Sequence, residues 1–312
     1  MFFEGSEKKI ELVVKSSAKA LRSYGRKAWE EVVAKSRASI LSDISNDQMD
    51  AYLLSESSLF VSDRRALMIT CGTTTLVHAV IAMLKFIPKE DVELLIYERK
   101  REIFPEYQRS NFYQDVKLLR EHVDGTAYRF GDEDDHHIYL FQMDNNFQAS
   151  EKDRTLEILM HGLDRSAAQV FESGNAHNEQ SVLKSGVREL LKDYQVDDFI
   201  FEPQGYSLNA IKEDQYYTIH VTPQSFGSYV SFETNHSDQA ELKSLVERVL
   251  EVFKPSSCDI LYFEKQGLNN KIPCAFQKKR SYGAEIAGYR VDFDHYYKVS
   301  DIVKPAEILE ID

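Results

Sequence analysis

The chain has 312 residues, enough for one large domain or two ordinary ones, and its 43% hydrophobic content suits a protein that buries a sizeable core. A formal net charge of −13, from 51 acidic against 38 basic side chains, excludes a nucleic-acid or anionic-membrane surface, since both need clustered Lys and Arg to displace counterions; small cationic ligands suit this field better. Three cysteines without paired spacing, Cys71, Cys258 and Cys274, speak against a disulfide framework or a structural zinc site, and with an acidic N-terminus and no apolar run near the roughly 20 residues of a membrane span, a cytosolic protein is expected.

In chain order, alternation of period two predicts strands that include KIELVV (9–14), ALMIT (66–70), HIYLF (137–141), QYYTIHV (215–221) and GSYVSFE (227–233). Apolar residues recurring every three or four positions predict helices over AWEEVVAKS (28–36), TTTLVHAVIAMLKFI (73–87), NFYQDVKLLREHV (111–123), SVLKSGVRELL (181–191) and QAELKSLVERVLEVF (239–253). Ser237 and Asp238 are N-cap candidates for the last. Residues 66–88 and 227–255 share one order of elements: strand, polar turn, long amphipathic helix, Phe, then Pro. That order points to an internal duplication. No linker or low-complexity tract divides the halves, so residues 1–312 read as a single domain of two similar halves.

The segment YLLSESSLFVSDRR (52–65) sets Ser55, Glu56, Ser57 and Ser58 between two apolar runs, and composition alone makes it a turn between strands. It stands in a series with FFEGSEK (2–8), ITCGTTTL (69–76), TLEIL (155–159), GYSLNAI (205–211), YYTIHVTP (216–223) and YVSFETN (229–235). In this order and spacing, the segments closely resemble the eukaryotic-type S-adenosylmethionine decarboxylase proenzymes, which are pyruvoyl-dependent. The resemblance runs from residue 2 to about residue 255 and is weak beyond Pro255.

The resemblance implies that Ser57 attacks the carbonyl of Glu56 and turns the peptide bond into an ester. Removal of the serine Cα proton and β-elimination then leave a dehydroalanine, which hydrolyses to a pyruvoyl group with loss of ammonia. Residues 1–56 become the small chain and 57–312 the large one. His220 matches the processing base; a lone histidine on a half-buried strand is ordinarily a satisfied core residue, but here it sits in the motif, and an imidazole near its normal pKa suits proton abstraction. Ser207 matches the residue that hydrogen-bonds the intermediate. The pyruvoyl carbonyl forms a Schiff base with S-adenosylmethionine and acts as the electron sink for decarboxylation. Cys71 matches the proton donor; a free cysteine at a strand end is commonly a buried hydrophobe, whereas its place in TCGTT fits a partly exposed thiol.

Phe3 and Phe201 match the two rings that sandwich adenine, and Glu7 matches an active-site carboxylate, although EGSEKKIE by itself looks like a solvated strand edge. Gln224 stands where the family usually has a glutamate that holds the ribose hydroxyls. Glu11, Asp153, Glu157 and Glu233 match the carboxylates of the putrescine pocket of animal relatives, where a cation offsets the cost of buried negative charge. Ile69 replaces a lysine of those relatives and Arg154 follows Asp153, so a side-chain cation can replace the diamine, as in plant relatives. GDEDDHH (131–137) offers metal-ligand side chains but reads as a solvated hairpin loop, and no metal is expected.

The implied fold is α+β: a four-layer αββα sandwich with two central antiparallel sheets and the active site at one end of them. Family members occur as monomers or as homodimers of processed protomers. A silent regulatory paralogue would lack the equivalents of Ser57, Cys71 or His220, and all three are present. A decarboxylase whose substrate has drifted to another amino acid is the other alternative, with Gln224 its only mark. Without the resemblance, composition and periodicity support a cytosolic α+β protein, a binder of small molecules.

Overall fold

In the computed structural model, which describes residues 3–145, 147–150, 152–172, 178–265 and 275–299, the first strand, β1 (Lys8–Val14), is buried at all seven positions. Its two faces therefore meet different layers, and the reading of this run as a solvated edge is corrected. β1 lies inside a sheet ordered β2 (Ile40–Ser45), β3 (Met49–Leu54), β4 (Ser57–Ser62), β5 (Arg65–Thr70), β1, β6 (Val92–Lys100), β8 (His137–Met143) and β7 (Gly125–Gly131). A second sheet runs β10 (Gln195–Ile200), β11 (Tyr206–Lys212), β12 (Gln215–Thr222), β13 (Tyr229–Thr234), β9 (Thr155–Leu163), β14 (Pro255–Glu264), β16 (Tyr289–Lys298) and β15 (Phe276–Ile286). Neighbours are antiparallel throughout both sheets. The second order is the first with every strand moved eight places along the chain. The duplication seen in residues 66–88 and 227–255 thus extends to all sixteen strands, and the weakly family-like stretch after Pro255 supplies three of them.

One face of each sheet is covered by helices. Helix α1 (Gly25–Lys35) buries Trp29, Val32 and Val33, spaced i, i+3, i+4. They join Val77, Val80 and Met83 of α2 (Leu76–Phe86) and Phe112, Val116 and Leu119 of α3 (Phe112–Leu119) in one cluster with Ile10, Leu12 and Val14 of β1. Each such side chain removed from water contributes about 1.5–3 kcal/mol. On the second sheet α5 (Asn178–Ser185) and α6 (Gln239–Phe253) do the same, and the short α4 (Arg165–Ala168) buries Ala167 and Ala168. The predicted helix 239–253 matches α6, with Asp238 accepting the Ala240 N–H as N-cap. The predicted helix 181–191 does not run through: Gly186 adopts φ 81°, a left-handed conformation that ends the helix.

The other faces meet each other. Val13, Leu94, Ile96 and Leu140 of the first sheet pack on Leu159, Leu261, Phe263 and Phe293 of the second, and Ile69 packs with Ile211 and Tyr216. The result is the expected αββα sandwich, in which strands buried on both faces lose the simple alternation of a half-exposed sheet. No helix among the described residues is long and apolar enough to cross a membrane.

Candidate active site

The turn predicted within residues 52–65 is the Ser55–Glu56 corner of the β3–β4 hairpin, and Ser57 opens β4 opposite Leu54 and Thr70. Ser57 is 1% exposed and holds φ 132°, a region that L-residues rarely adopt. The carbonyl oxygen of Glu56, one bond before it, accepts from the Cys71 N–H at 3.0 Å and from Cys71 Sγ at 3.5 Å. Ser57 Oγ in turn donates to Cys71 Sγ at 3.9 Å. Cys71 follows β5 directly and is buried, not the partly exposed thiol expected from its turn. Burial, reinforced by Glu56 and Glu7, pushes its pKa far up, so the sulfur carries its proton.

The second sheet brings Ser207 of β11, His220 of β12 and Ser231 of β13 into one row. Ser207 Oγ lies 3.0 Å from His220 Nδ1. His220 Nε2 lies 3.0 Å from Thr218 Oγ1 and 3.3 Å from Ser58 Oγ, while Ser58 donates to Asn209 at 2.5 Å. Burial drives the imidazole down to about 3, well below the ordinary value expected for it, so it is neutral across the physiological range. Ser231 donates to Glu7 Oε1 at 2.6 Å, and burial raises the Glu7 carboxyl to about 8.

A cavity of about 410 Å³ opens where these groups meet, lined by Phe3, Ser57, Cys71, Phe201, Ser207, His220 and Gln224 among others. Glu7 is not among the residues that line it, and its bond to Ser231 ties it to β13 of the second sheet. Phe3 closes over the turn after β5 because Gly72, at φ 63°, has no side chain: a Cβ there would stand 3.1 Å from the Phe3 ring. Gln224 donates to the Phe3 carbonyl at 2.7 Å and accepts the Phe3 N–H at 3.1 Å, so its amide is spent on that backbone. Sequence reasoning gave no sign of this clamp, nor of Ser58, Thr218 and Asn209 around His220.

Lys8 was also missed. Its ammonium donates to the Gly72 carbonyl at 3.1 Å and to Gln108 at 2.9 Å, and burial, with help from Arg99, lowers it to about 8. It partly offsets the burial that lifts the Glu56 carboxyl to about 7.

The four acidic residues matched to a diamine pocket divide into two groups. Lys9, on the same face of β1 as Glu11, reaches Glu157 at 2.7 Å and Glu233 at 3.1 Å. Lys100 bonds Glu157 and, at 2.7 Å, Glu98. Burial raises Glu233 to about 7 despite Lys9, and the two lysines hold Glu157 below its ordinary value against its burial. Arg65 bonds Glu11, and Asp153 at 2.6 Å. The expected cation was Arg154, but its guanidinium lies 3.6 Å from Glu264 and bonds the Ser237 carbonyl. Cys71 and Cys258 are free thiols, and Cys274 lies outside the described residues.

A profile of the family described as adenosylmethionine decarboxylase matches residues 1–303. The chain is similar to the S-adenosylmethionine decarboxylase proenzyme of Dictyostelium discoideum, 34% identical over 99% of this chain and 92% of the relative. It is 36% identical to the proenzyme of that name from Xenopus laevis, over 81% of each chain. Among solved structures it is similar to a crystal structure titled Trypanosoma brucei AdoMetDC-delta26 monomer, with a TM-score of 0.61 and 25% identity over 78% of this chain and 99% of that one.

Proposed function

The chain belongs to the adenosylmethionine decarboxylase family, and from that premise we propose that it is made uncut, cleaves itself between Glu56 and Ser57, and carries out its chemistry on a pyruvoyl group derived from Ser57. It is an S-adenosylmethionine decarboxylase of polyamine biosynthesis, whose product is the aminopropyl donor for spermidine and spermine. The observation that carries the proposal is the backbone at Ser57: a strained φ immediately after a carbonyl whose oxygen is met by two donors of Cys71. Strain of this kind costs on the order of 1–3 kcal/mol and persists only where the surroundings impose it.

Ser57 Oγ adds to the Glu56 carbonyl carbon, and the Cys71 N–H and S–H stabilise the charge that develops on the oxygen. The C–N bond breaks, leaving Glu56 as an ester on Ser57 Oγ and the Ser57 nitrogen as a free amine. His220, neutral and oriented by Ser207 on one side and Thr218 on the other, takes the Ser57 Cα proton as the Glu56 carboxylate departs. Water then replaces the nitrogen, which leaves as ammonia. The residues fit the resulting group, since Ser57, Cys71, Ser207 and His220 line one cavity. A pyruvoyl carbonyl supplies the electron sink that condenses with the substrate amine and takes up the electron pair released with carbon dioxide.

Cys71, held as a neutral thiol, is the proton donor to the substrate α-carbon in this reading. Phe3 and Phe201 offer ring faces to the adenine and to the sulfonium cation. Gln224 acts through Phe3, fixing its backbone, where a ribose contact was expected. Lys9 and Arg65 stand in for a diamine: Glu157 and Glu233 are bridged by Lys9, and Glu11 and Asp153 by Arg65. Putrescine is then not needed as an activator.

The test is release of labelled carbon dioxide from carboxyl-labelled S-adenosylmethionine, with borohydride trapping of substrate on the chain that begins at residue 57. Release without any trapped adduct on that chain would count against the pyruvoyl reading while leaving the decarboxylase intact.

A further inference from the structure

The loop GDEDDHH (131–137) joins β7 to β8, as its composition implied, yet its His136 is not left in solvent. It crosses to the second sheet and meets three residues from three different strands: His161 of β9, Asp259 of β14 and His295 of β16. His136 Nδ1 lies 3.0 Å from Asp259 Oδ2, and His161 Nε2 lies 3.2 Å from the same oxygen. His295 Nδ1 takes the other carboxylate oxygen, Oδ1, at 2.5 Å. The His136 ring stacks on His295 with centroids 4.3 Å apart and meets His161 edge-on at 4.4 Å.

We propose that His136 Nδ1, His161 Nε2 and Asp259 Oδ2 bind one divalent transition-metal ion, with Zn2+ the best match, and that His295 orients the carboxylate as an outer-shell partner. One ligand atom from each of the three residues lies within 4.8 Å of those of the other two. Ligands about 2.0–2.1 Å from a tetrahedral zinc sit about 3.3 Å apart, close to the two nitrogen-to-oxygen separations here. Imidazole and carboxylate are ligands zinc takes, and a carboxylate steadied by a further imidazole is a common outer-shell device.

Burial and access also agree. The Asp259 and His295 side chains are 5% and 6% exposed, whereas His136 and His161 are 22% and 26% exposed, leaving an entry path and an open coordination position on their side. Among the described residues every side-chain hydrogen bond of Asp259 comes from an imidazole. On binding, His136 and His161 move their ring protons to the other nitrogen, and the ion neutralises a buried carboxylate while tying the first sheet's hairpin to the second sheet.

None of the four residues lines the cavity around Ser57, and the tag-free full-length protein tests the site directly. After dialysis against a chelator, the protein is titrated with ZnCl2 by calorimetry and followed by thermal melting. We expect one ion per chain and a melting temperature that rises with Zn2+. His136→Ala should lose at least about 100-fold in affinity while still processing and decarboxylating, and His295→Ala should lose about 10–100-fold. If His136→Ala does not fold, His136→Gln makes the same comparison. Absence of stoichiometric binding, equal binding by wild type and the His136 variant, or loss of binding in Cys71→Ser instead would each overturn the proposal.

Discussion

Cys71 reaches the carbonyl oxygen of Glu56 twice, with its backbone N–H at 3.0 Å and its sulfur at 3.5 Å. Only the second contact depends on the side chain. Cys71→Ala should therefore still process, slowed by less than the roughly 100-fold that loss of a well-placed oxyanion donor costs, as followed by the two fragments on a denaturing gel over time. The processed variant should lose activity during turnover through misprotonation. Normal steady-state activity would refute the donor role.

The low pKa of His220 sets a pH expectation. Burial keeps the imidazole neutral above about pH 3, so its titration should not limit processing between about pH 5 and 8. A processing rate that falls with acid along a one-proton curve centred near 6.5 would mean that the ring is solvated and ordinary. His220→Ala should stop after ester formation, leaving a bond between residues 56 and 57 that hydroxylamine cuts.

Glu7 makes stability fall with pH. Its carboxyl rises from 4.5 to about 8 on burial. Between those values the unfolded chain has released the proton that the folded chain keeps, so stability is full below about pH 4.5 and is lost as pH rises to about 8. Glu7→Gln should remove that loss, which is on the order of a few kcal/mol. Melting curves from pH 5 to 8.5 should converge for the two proteins at the acid end and separate at the basic end, with the variant the more stable.

Lys9 bridges Glu157 and Glu233 with its side chain 2% exposed. Lys9→Ala leaves those carboxylates short of a cation, and breaking such a pair costs about 3–5 kcal/mol. Putrescine should raise the melting temperature of Lys9→Ala more than that of wild type. An equal effect on both would show that a diamine binds elsewhere, or that Lys9 does not fill its place.

Gln224 fixes Phe3 through two hydrogen bonds to its backbone. Gln224→Ala should raise KM for S-adenosylmethionine, by roughly thirtyfold for the loss of about 1 kcal/mol from each of the two bonds, with processing unchanged. A lowered kcat at constant KM would instead point to a role in the chemical step.

The hairpin carrying Ser57 and the strand carrying His220 were legible because their signals are local: a polar turn between apolar runs, and alternation along 215–221; Ser207 was reached only through the resemblance of its GYSLNAI segment. Helix α6 was legible for the same reason, with Asp238 at its start and a strict apolar stripe. Lys8 and Lys9 were not, because two lysines in a strand read as solvated, and only the second sheet's Glu157 and Glu233 explain why Lys9 can be buried. His136, His161, Asp259 and His295 lie on four elements spread over 160 residues, so nothing local links them; their meeting follows from the loop of one half reaching the strands of the other. The clamp of Gln224 on Phe3 spans 221 positions and was equally hidden.

The cleavage itself is tested most directly by the intact mass of the purified protein under denaturing conditions, beside the Ser57→Ala variant. We expect two chains from wild type, one ending at Glu56 and one beginning with a pyruvoyl group at position 57, and a single uncut chain from the variant. A single uncut wild-type chain that nevertheless decarboxylates S-adenosylmethionine, or two fragments from Ser57→Ala, would contradict self-processing at this bond.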